Sequence, residues 1–310
     1  MKNRLLKIAA SILAGALLLT AMVGCTPEET TVTEKVTTTE KSTETIATTQ
    51  TETITETDDT LNIAVSILPV ADFVANVGGE HVEVTVMVPP GYSPHTYEPT
   101  PNQMVRISEA DAYVKVGSGV EFEESWMSDL IAQNQDMTII DCSPGVDLLG
   151  SDPHIWNSPV NAMQMVENIY QGLIDIDPAN QSDYQANRDS YLADLQALDD
   201  YAHQTLDGFS NRNFIIYHPA FGYFAAEYDL TQIPIEHEGK EPTPQVIQDC
   251  IDKSVEYDLN YVFVAPQFAT SYAETIAQEI DGQVLYVDPL PATYISNMRS
   301  VVASIALELE

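Results

Sequence analysis

The chain has 310 residues, 44% of them hydrophobic, enough for one large domain or two modest ones, each with its own core. It carries 47 Asp+Glu against 12 Lys+Arg, a formal net charge of −35. Phosphate binding needs a basic surface, so nucleic acid is excluded as a partner. An acidic surface attracts cations only diffusely, and a solvated acidic face explains the charge equally well.

The N-terminus reads as an export signal. Lys2, Arg4 and Lys7 precede an apolar run, Ile8 to Val23, too short and too rich in Ala and Gly for a membrane span. The run closes at "AMVGC", which resembles a bacterial lipobox with Met22 in place of the usual leucine. The resemblance implies cleavage after residue 24 and lipid on Cys25; the bland alternative is a secreted protein with an incidental cysteine. Residues 25–60 follow as a tether. Between Thr26 and Thr60, sixteen of 35 residues are Thr and nine are acidic, with no aromatic side chain. Such a segment buries too little to fold and repels itself, so it is expected to be disordered and to hold a folded body close to a membrane. Its acids would gather cations weakly at best.

From Leu61 onward, apolar runs alternate with amphipathic ones. "LNIAVSI" is a strand, "PVADFVANVGG" a helix and "VEVTVMV" a strand. "PPGYSPHTYEPTP" is a proline-stiffened loop. "PNQMVRISEA" is a helix, "AYVKVG" a strand, "EESWMSDLIAQ" a helix and "MTIID" a strand. Strand–helix alternation predicts a mainly parallel sheet covered on both faces. Helices then interrupt: "SPVNAMQMVENIYQGLI", then "DPAN", then "QSDYQANRDSYLADLQALDDYAHQTL". Tyr184, Tyr191, Leu195, Leu198, Tyr201 and Leu206 recur at helical spacing. About 28 residues would span about 40 Å, the length of a strut between lobes. Alternation resumes with "NFIIYH", "FGYFAAEYD", "TQIPI", "TPQVIQDCIDKSVEYD", "YVFVAP", "SYAETIAQEI" and "QVLYVDP", and a helix from about Ala292 ends the chain. The expected fold is α/β: lobes at 61–178 and 210–310, each a mainly parallel sheet flanked by helices, joined by one long helix over 179–209. Cys142 and Cys250 lie more than a hundred residues apart without a CxxC pair, and are expected to be two thiols rather than a bridge.

Four residues stand at or beyond strand ends, two in each lobe: His95, His154, His218 and Asp288. Three neutral imidazoles and one carboxylate make a tetrahedral set suited to Zn²⁺. Each residue alone is weak evidence, because a strand-end His is usually a satisfied polar residue and Asp before Pro a turn former. Proline flanks all three histidines, which stiffens the local backbone. On spacing, a metal site and four unrelated polar residues remain equally open.

The motifs "PPGYSPHTYEPTP", "DPHIWNSP", "YHPAFGYFAAEYDL", "EGKEPTP" and "YVDPL" occur in order through residues 61–310. Together they resemble those of the ZnuA/TroA-like solute-binding lipoproteins, which feed zinc and manganese to ABC importers. The resemblance implies that His95, His154, His218 and Asp288 ligate one metal ion, and that the lobes move little around it. Many manganese-preferring relatives carry a carboxylate at the third position. His218 stands there instead, which makes Zn²⁺ the first choice and Mn²⁺ the second, since imidazole suits zinc and oxygen donors suit manganese. Ser93 replaces a common acid, and Asn157-Ser158 a common Leu-Asp. The His-rich loop of many zinc members is absent.

Around the ligands, Tyr97 and Glu98 are candidates to orient His95, Trp156 to wall off His154 and His237 to line or cap the cleft; loop packing explains Tyr97 and Glu98 equally, core packing explains Trp156 equally, and a solvated loop position is the favoured reading of His237. His81 and His203 are expected at the surface. The expected function is zinc capture and delivery, without catalysis, by a monomer lipid-anchored on the outer face of the cell membrane. Its partners would be an ABC permease and the ATPase that drives it. A metallohydrolase is disfavoured, because four protein ligands leave no open position and HExxH, GxSxG and P-loop patterns are absent. A surface adhesin is a possible second role.

Overall fold

The computed structural model describes residues 60–237 and 239–310; the signal sequence, Cys25 and the Thr/Glu-rich segment lie outside the described residues. The apolar runs form short strands: β1 (Leu61–Val65), β2 (Val82–Val86), β3 (Ala112–Lys115) and β4 (Thr138–Asp141). They pair in parallel in the order β2-β1-β3-β4, with Leu61 opposite Val82, Ile63 opposite Ala112, and Ala112 opposite Thr138. Ile63, Ala64 and Val65 are all buried, so β1 is covered on both faces. Helices α1 (Leu68–Gly78), α2 (Pro101–Ser108), α3 (Glu121–Gln133) and α4 (Pro159–Ile176) supply the cover.

A second sheet repeats the pattern. Strands β5 (Asn213–Ile216), β6 (Thr231–Pro234), β7 (Tyr261–Val264) and β8 (Gln283–Tyr286) run parallel in the order β6-β5-β7-β8. Helices α6 (Gly222–Glu227), α7 (Pro244–Tyr257), α8 (Ser271–Glu279) and α9 (Tyr294–Leu309) flank them. Three helices begin at a Ser/Thr-Pro pair. The hydroxyls of Thr100, Ser158 and Thr243 accept from backbone N–H groups of the first turn, and the following proline gives up no hydrogen bond there.

The long helix α5 (Gln181–Leu206) has 26 residues, about 39 Å. It differs from a free strut. Tyr184, Tyr191, Leu195, Leu198, Ala202 and Leu206 are buried, and the helix packs on α1, α4 and α9. Tyr191 donates from its hydroxyl to Asp72 on α1 at 2.7 Å, and the Arg299 guanidinium of α9 lies 4.9 Å over the Tyr201 ring. The reason is α9: the last helix of the second half returns to cover the apolar stripe of α5. One hydrophobic cluster therefore runs from β1, α1 and α4 through α5 and α9 to Phe214 and Ile216 of β5. The opposite face of β5, at Ile215, belongs to a smaller cluster with α7 and α8. Cys142 and Cys250 are both buried and unbridged.

Candidate metal centre

Both sheets direct the carboxyl ends of their strands toward one crevice, where ligands of open parallel sheets bind. His218 stands two residues past β5, and His95 lies in the loop between β2 and α2. His154 lies in the connection from β4 to α4, beside a short turn at Ile155–Asn157. These three meet. The Nε2 atoms of His95 and His218 are 3.3 Å apart, and those of His218 and His154 are 3.2 Å apart. All three ligand atoms lie within 4.8 Å of one another.

Each ring is held from behind by a carboxylate. His95 Nδ1 faces Glu121 at 3.0 Å, His154 Nδ1 faces Asp152 at 2.7 Å, and His218 Nδ1 faces Glu236 at 3.0 Å. A carboxylate only accepts, so in its neutral form each ring carries its proton on Nδ1 and presents a lone pair at Nε2. Three lone pairs then face each other with no proton between them, an arrangement that repels unless a cation sits among them. Tetrahedral zinc with Zn–N bonds of about 2.0–2.1 Å requires N···N edges of about 3.3–3.4 Å, close to the two distances that His218 makes.

Burial differs among the three. His154 and His218 are each 7% exposed, whereas His95 is half-buried. Burial pushes the His154 pKa down, against the hydrogen bond and charge of Asp152, so this ring favours its neutral form. Burial works against the Glu236 carboxylate too. The hydrogen bond and charge of His218, with the Gly239 N–H, more than offset it and hold Glu236 below its ordinary pKa. Phe268 stacks on His218 with centroids 4.7 Å apart, and Trp156 meets the His154 ring edge-on at 5.2 Å. The cavity among His95, His154, His218, Trp156 and Phe268 has room for about one water-sized occupant, which suits an ion. A wider groove among α4, α5 and α6 carries no histidine.

Asp288 falls outside the 4.8 Å group. Its Oδ1 accepts from Gln267 Nε2 and from the Leu290 N–H, both at 2.9 Å, and its neighbours Pro289 and Leu290 line the cavity. Tyr97 donates to Gln103 rather than to His95, and packs against Phe122. Glu98 and His237 are exposed; His237 bridges to Lys240 in the loop beyond β6. Trp156 does wall the site, and it also donates to Pro289 O at 2.6 Å.

Sequence reasoning missed Glu121, Asp152 and Glu236. Two had a signal. In "DPH", Asp152 Oδ1 accepts the His154 backbone N–H at 3.0 Å as well as Nδ1. In "SPH", Ser93 Oγ accepts the His95 N–H at 3.3 Å, so the two tripeptides make the same local turn. Serine is too short to reach the ring, which leaves His95 Nδ1 to Glu121 at the start of α3. Glu236 follows from register: Ile216 pairs with Pro234, which sets His218 beside Glu236 two residues on. The side chains of Asn157 and Ser158 bond elsewhere: Asn157 donates to Ala220 O, and Ser158 caps α4.

Two parallel α/β lobes closing on three convergent imidazoles are the layout of a cleft-type binding protein. The chain belongs to the ZnuA family, described as "Zinc-uptake complex component A periplasmic", whose model matches residues 63–307. It is 33% identical over 261 residues to the manganese-binding lipoprotein MntA of Halalkalibacterium halodurans, covering 77% of this chain and 85% of that one. It is 28% identical over 255 residues to the high-affinity zinc uptake system protein ZnuA of Bacillus subtilis, covering 75% and 79%. Among solved structures, a crystal structure of ZnuA superposes with TM-score 0.79 at 41% identity, covering 81% of this chain and all of that one. A zinc-bound ZnuA deletion mutant gives 0.77 at 41% identity, covering 81% and 99%.

Proposed function

We propose that this chain captures Zn²⁺ with Nε2 of His95, His154 and His218, joined by a carboxylate oxygen of Asp288 that turns in from beside the cavity, and delivers the ion to an ABC permease driven by a cytoplasmic ATPase. The convergence of three imidazole Nε2 atoms, with that of His218 3.3 Å from His95 and 3.2 Å from His154, carries the reading. Each imidazole is backed by a carboxylate, which fixes its tautomer and raises its basicity toward a metal. Capture requires no catalysis, and a cavity of one-ion size suits it. Lipid on Cys25 would keep the protein on the outer face of the membrane, in keeping with relatives named as lipoproteins.

Manganese is the second reading, favoured by the name of the 33% identical relative. The donor set argues for zinc, because nitrogen ligands rank zinc well above manganese. The test is elemental analysis and competitive Zn²⁺/Mn²⁺ titration of the full chain beside His218→Ala. One bound zinc per chain, with most affinity lost in the variant and its fold retained, is expected. Zinc binding by the variant equal to the parent would overturn the assignment.

A further inference from the structure

Gln267 lies in the loop after β7 and lines the cavity with the three histidines. Its amide is bound on one side only. Nε2 donates to Asp288 Oδ1, while Oε1 is buried and accepts no hydrogen bond among the described residues. The orientation is forced: a carboxylate only accepts, so the NH₂ must face Asp288 and the carbonyl oxygen must turn away. A buried acceptor left in this state is costly, so a site that retains it has a use for the amide.

That use lies in what the amide does to Asp288. The Leu290 N–H already holds Oδ1, and Gln267 engages the same oxygen a second time. Oδ2 is the oxygen left to approach a cation. A carboxylate that offers one oxygen to three imidazoles completes a tetrahedron, the zinc geometry. A carboxylate free to offer both raises the coordination number and the oxygen share, which favours harder cations such as Mn²⁺.

We propose that Gln267 is a positioning and specificity-determining residue: by occupying Asp288 Oδ1 it keeps that carboxylate monodentate and so discriminates against Mn²⁺. The inference rests on the metal-capture reading above. It places the discrimination between zinc and manganese partly on a neutral amide that touches no imidazole.

The test compares the full chain with Gln267→Met, which keeps the side chain's reach and removes the amide, and with Gln267→Leu as a second removal. Thermal melting without metal shows that each variant folds. Competitive titration should then show the Zn²⁺-over-Mn²⁺ preference narrowing by about ten- to a hundredfold, the usual cost of losing a partner of a ligand. Co²⁺ substituted at the site should lose the intense visible bands of a tetrahedral ion for the weaker ones of five-coordination. In an Asp288→Ala background the Gln267 change should have no further effect, because the amide acts through that carboxylate. An unchanged preference and Co²⁺ spectrum, or an equal effect without Asp288, would overturn the proposal while leaving three-histidine capture intact. Failure of the parent chain to bind Zn²⁺ or Co²⁺ would sink both.

Discussion

Replacing Glu236 by Gln keeps the side chain's shape and removes its charge. The carboxylate lies 3.0 Å from His218 Nδ1, so with the ring and a Zn–N bond of about 2.0–2.1 Å between them it stands about 7 Å from the ion. Its side chain is 4% exposed. At an effective dielectric of about 20, a unit negative charge at that distance from a dication interacts by about 5 kcal/mol; in bulk water the figure is about 1 kcal/mol. Glu121 makes the same 3.0 Å contact to His95, but its side chain is 57% exposed. Geometry is therefore matched and screening is not. The amide keeps a dipole that offsets part of the lost charge. Zinc affinity is therefore expected to fall about thirty- to a hundredfold in Glu236→Gln, near the upper end for such partners, and less than tenfold in Glu121→Gln. Competition with a chromophoric zinc chelator at fixed pH and salt measures both. Equal losses, or a larger loss at Glu121, would refute the claim that burial sets the strength of these carboxylates.

The shared turn of "SPH" and "DPH" predicts a rescue: Ser93→Asp should restore most of the zinc affinity lost in Glu121→Ala, as Asp152 serves both N–H groups of His154. No recovery in the double variant would break the analogy. Two buried groups give the metal-free protein opposing pH dependences. Glu308 accepts the N–H groups of Asn260 and Tyr261, and burial pushes its pKa up to about 7. The folded state then binds its proton more tightly than the unfolded one, so stability falls as pH rises from about 4.5 to about 7, by at most about 3 kcal/mol. His154 is shifted down, so its contribution is full above about 6.5 and falls as pH drops below that. Melting temperature against pH should therefore rise more steeply between about 5 and 6.5 in Glu308→Gln than in the parent; parallel curves would contradict this. Gly117→Ala should cost about 1–3 kcal/mol in backbone strain. Gly117 sits at φ +81°, where a Cβ would collide with Asp141 Oδ1, the oxygen that accepts from the Ser143 N–H and hydroxyl. Denaturant melts read this directly.

The alternation of periods made the two parallel sheets legible, because β-branched runs buried on both faces have few other homes. The histidines were legible because proline and strand ends marked them. Their carboxylate partners were less legible, since each arises from a different kind of proximity. Asp152 is local, Glu236 needs the pairing of β5 with β6, and Glu121 needs α3 docked beside the loop after β2. Tyr97 and Glu98 are near His95 in sequence, yet the "EPTP" backbone leads into the capped start of α2. There Gln103 takes the Tyr97 hydroxyl as well as the Thr100 N–H. Helix α5 was legible in extent and as the link between the lobes; its cover was less so, because α9, about ninety residues later in the chain, packs on it beside α4 and α1.

The segment carrying His154 belongs by sequence to the first half and by hydrogen bonding largely to the second. The Tyr223 hydroxyl accepts from the Leu149 N–H and donates to Asp152 O, each at 2.9 Å. Asn157 donates to Ala220 O, Trp156 donates to Pro289 O, and the Tyr294 hydroxyl donates to Trp156 O. Toward the first half, the Ser118 hydroxyl donates to Pro153 O at 2.5 Å. His154 and His218 are thus fixed in one frame, and a shared core runs beneath both halves. Side chains so held lose little freedom when a cation arrives, so binding energy is not spent on ordering them. His95 is the exception: more exposed, on a loop of its own, with its ring tied to a solvent-facing carboxylate. The division of labour follows from burial. Two nitrogens form a preset pair, and the third stands on the side more open to water.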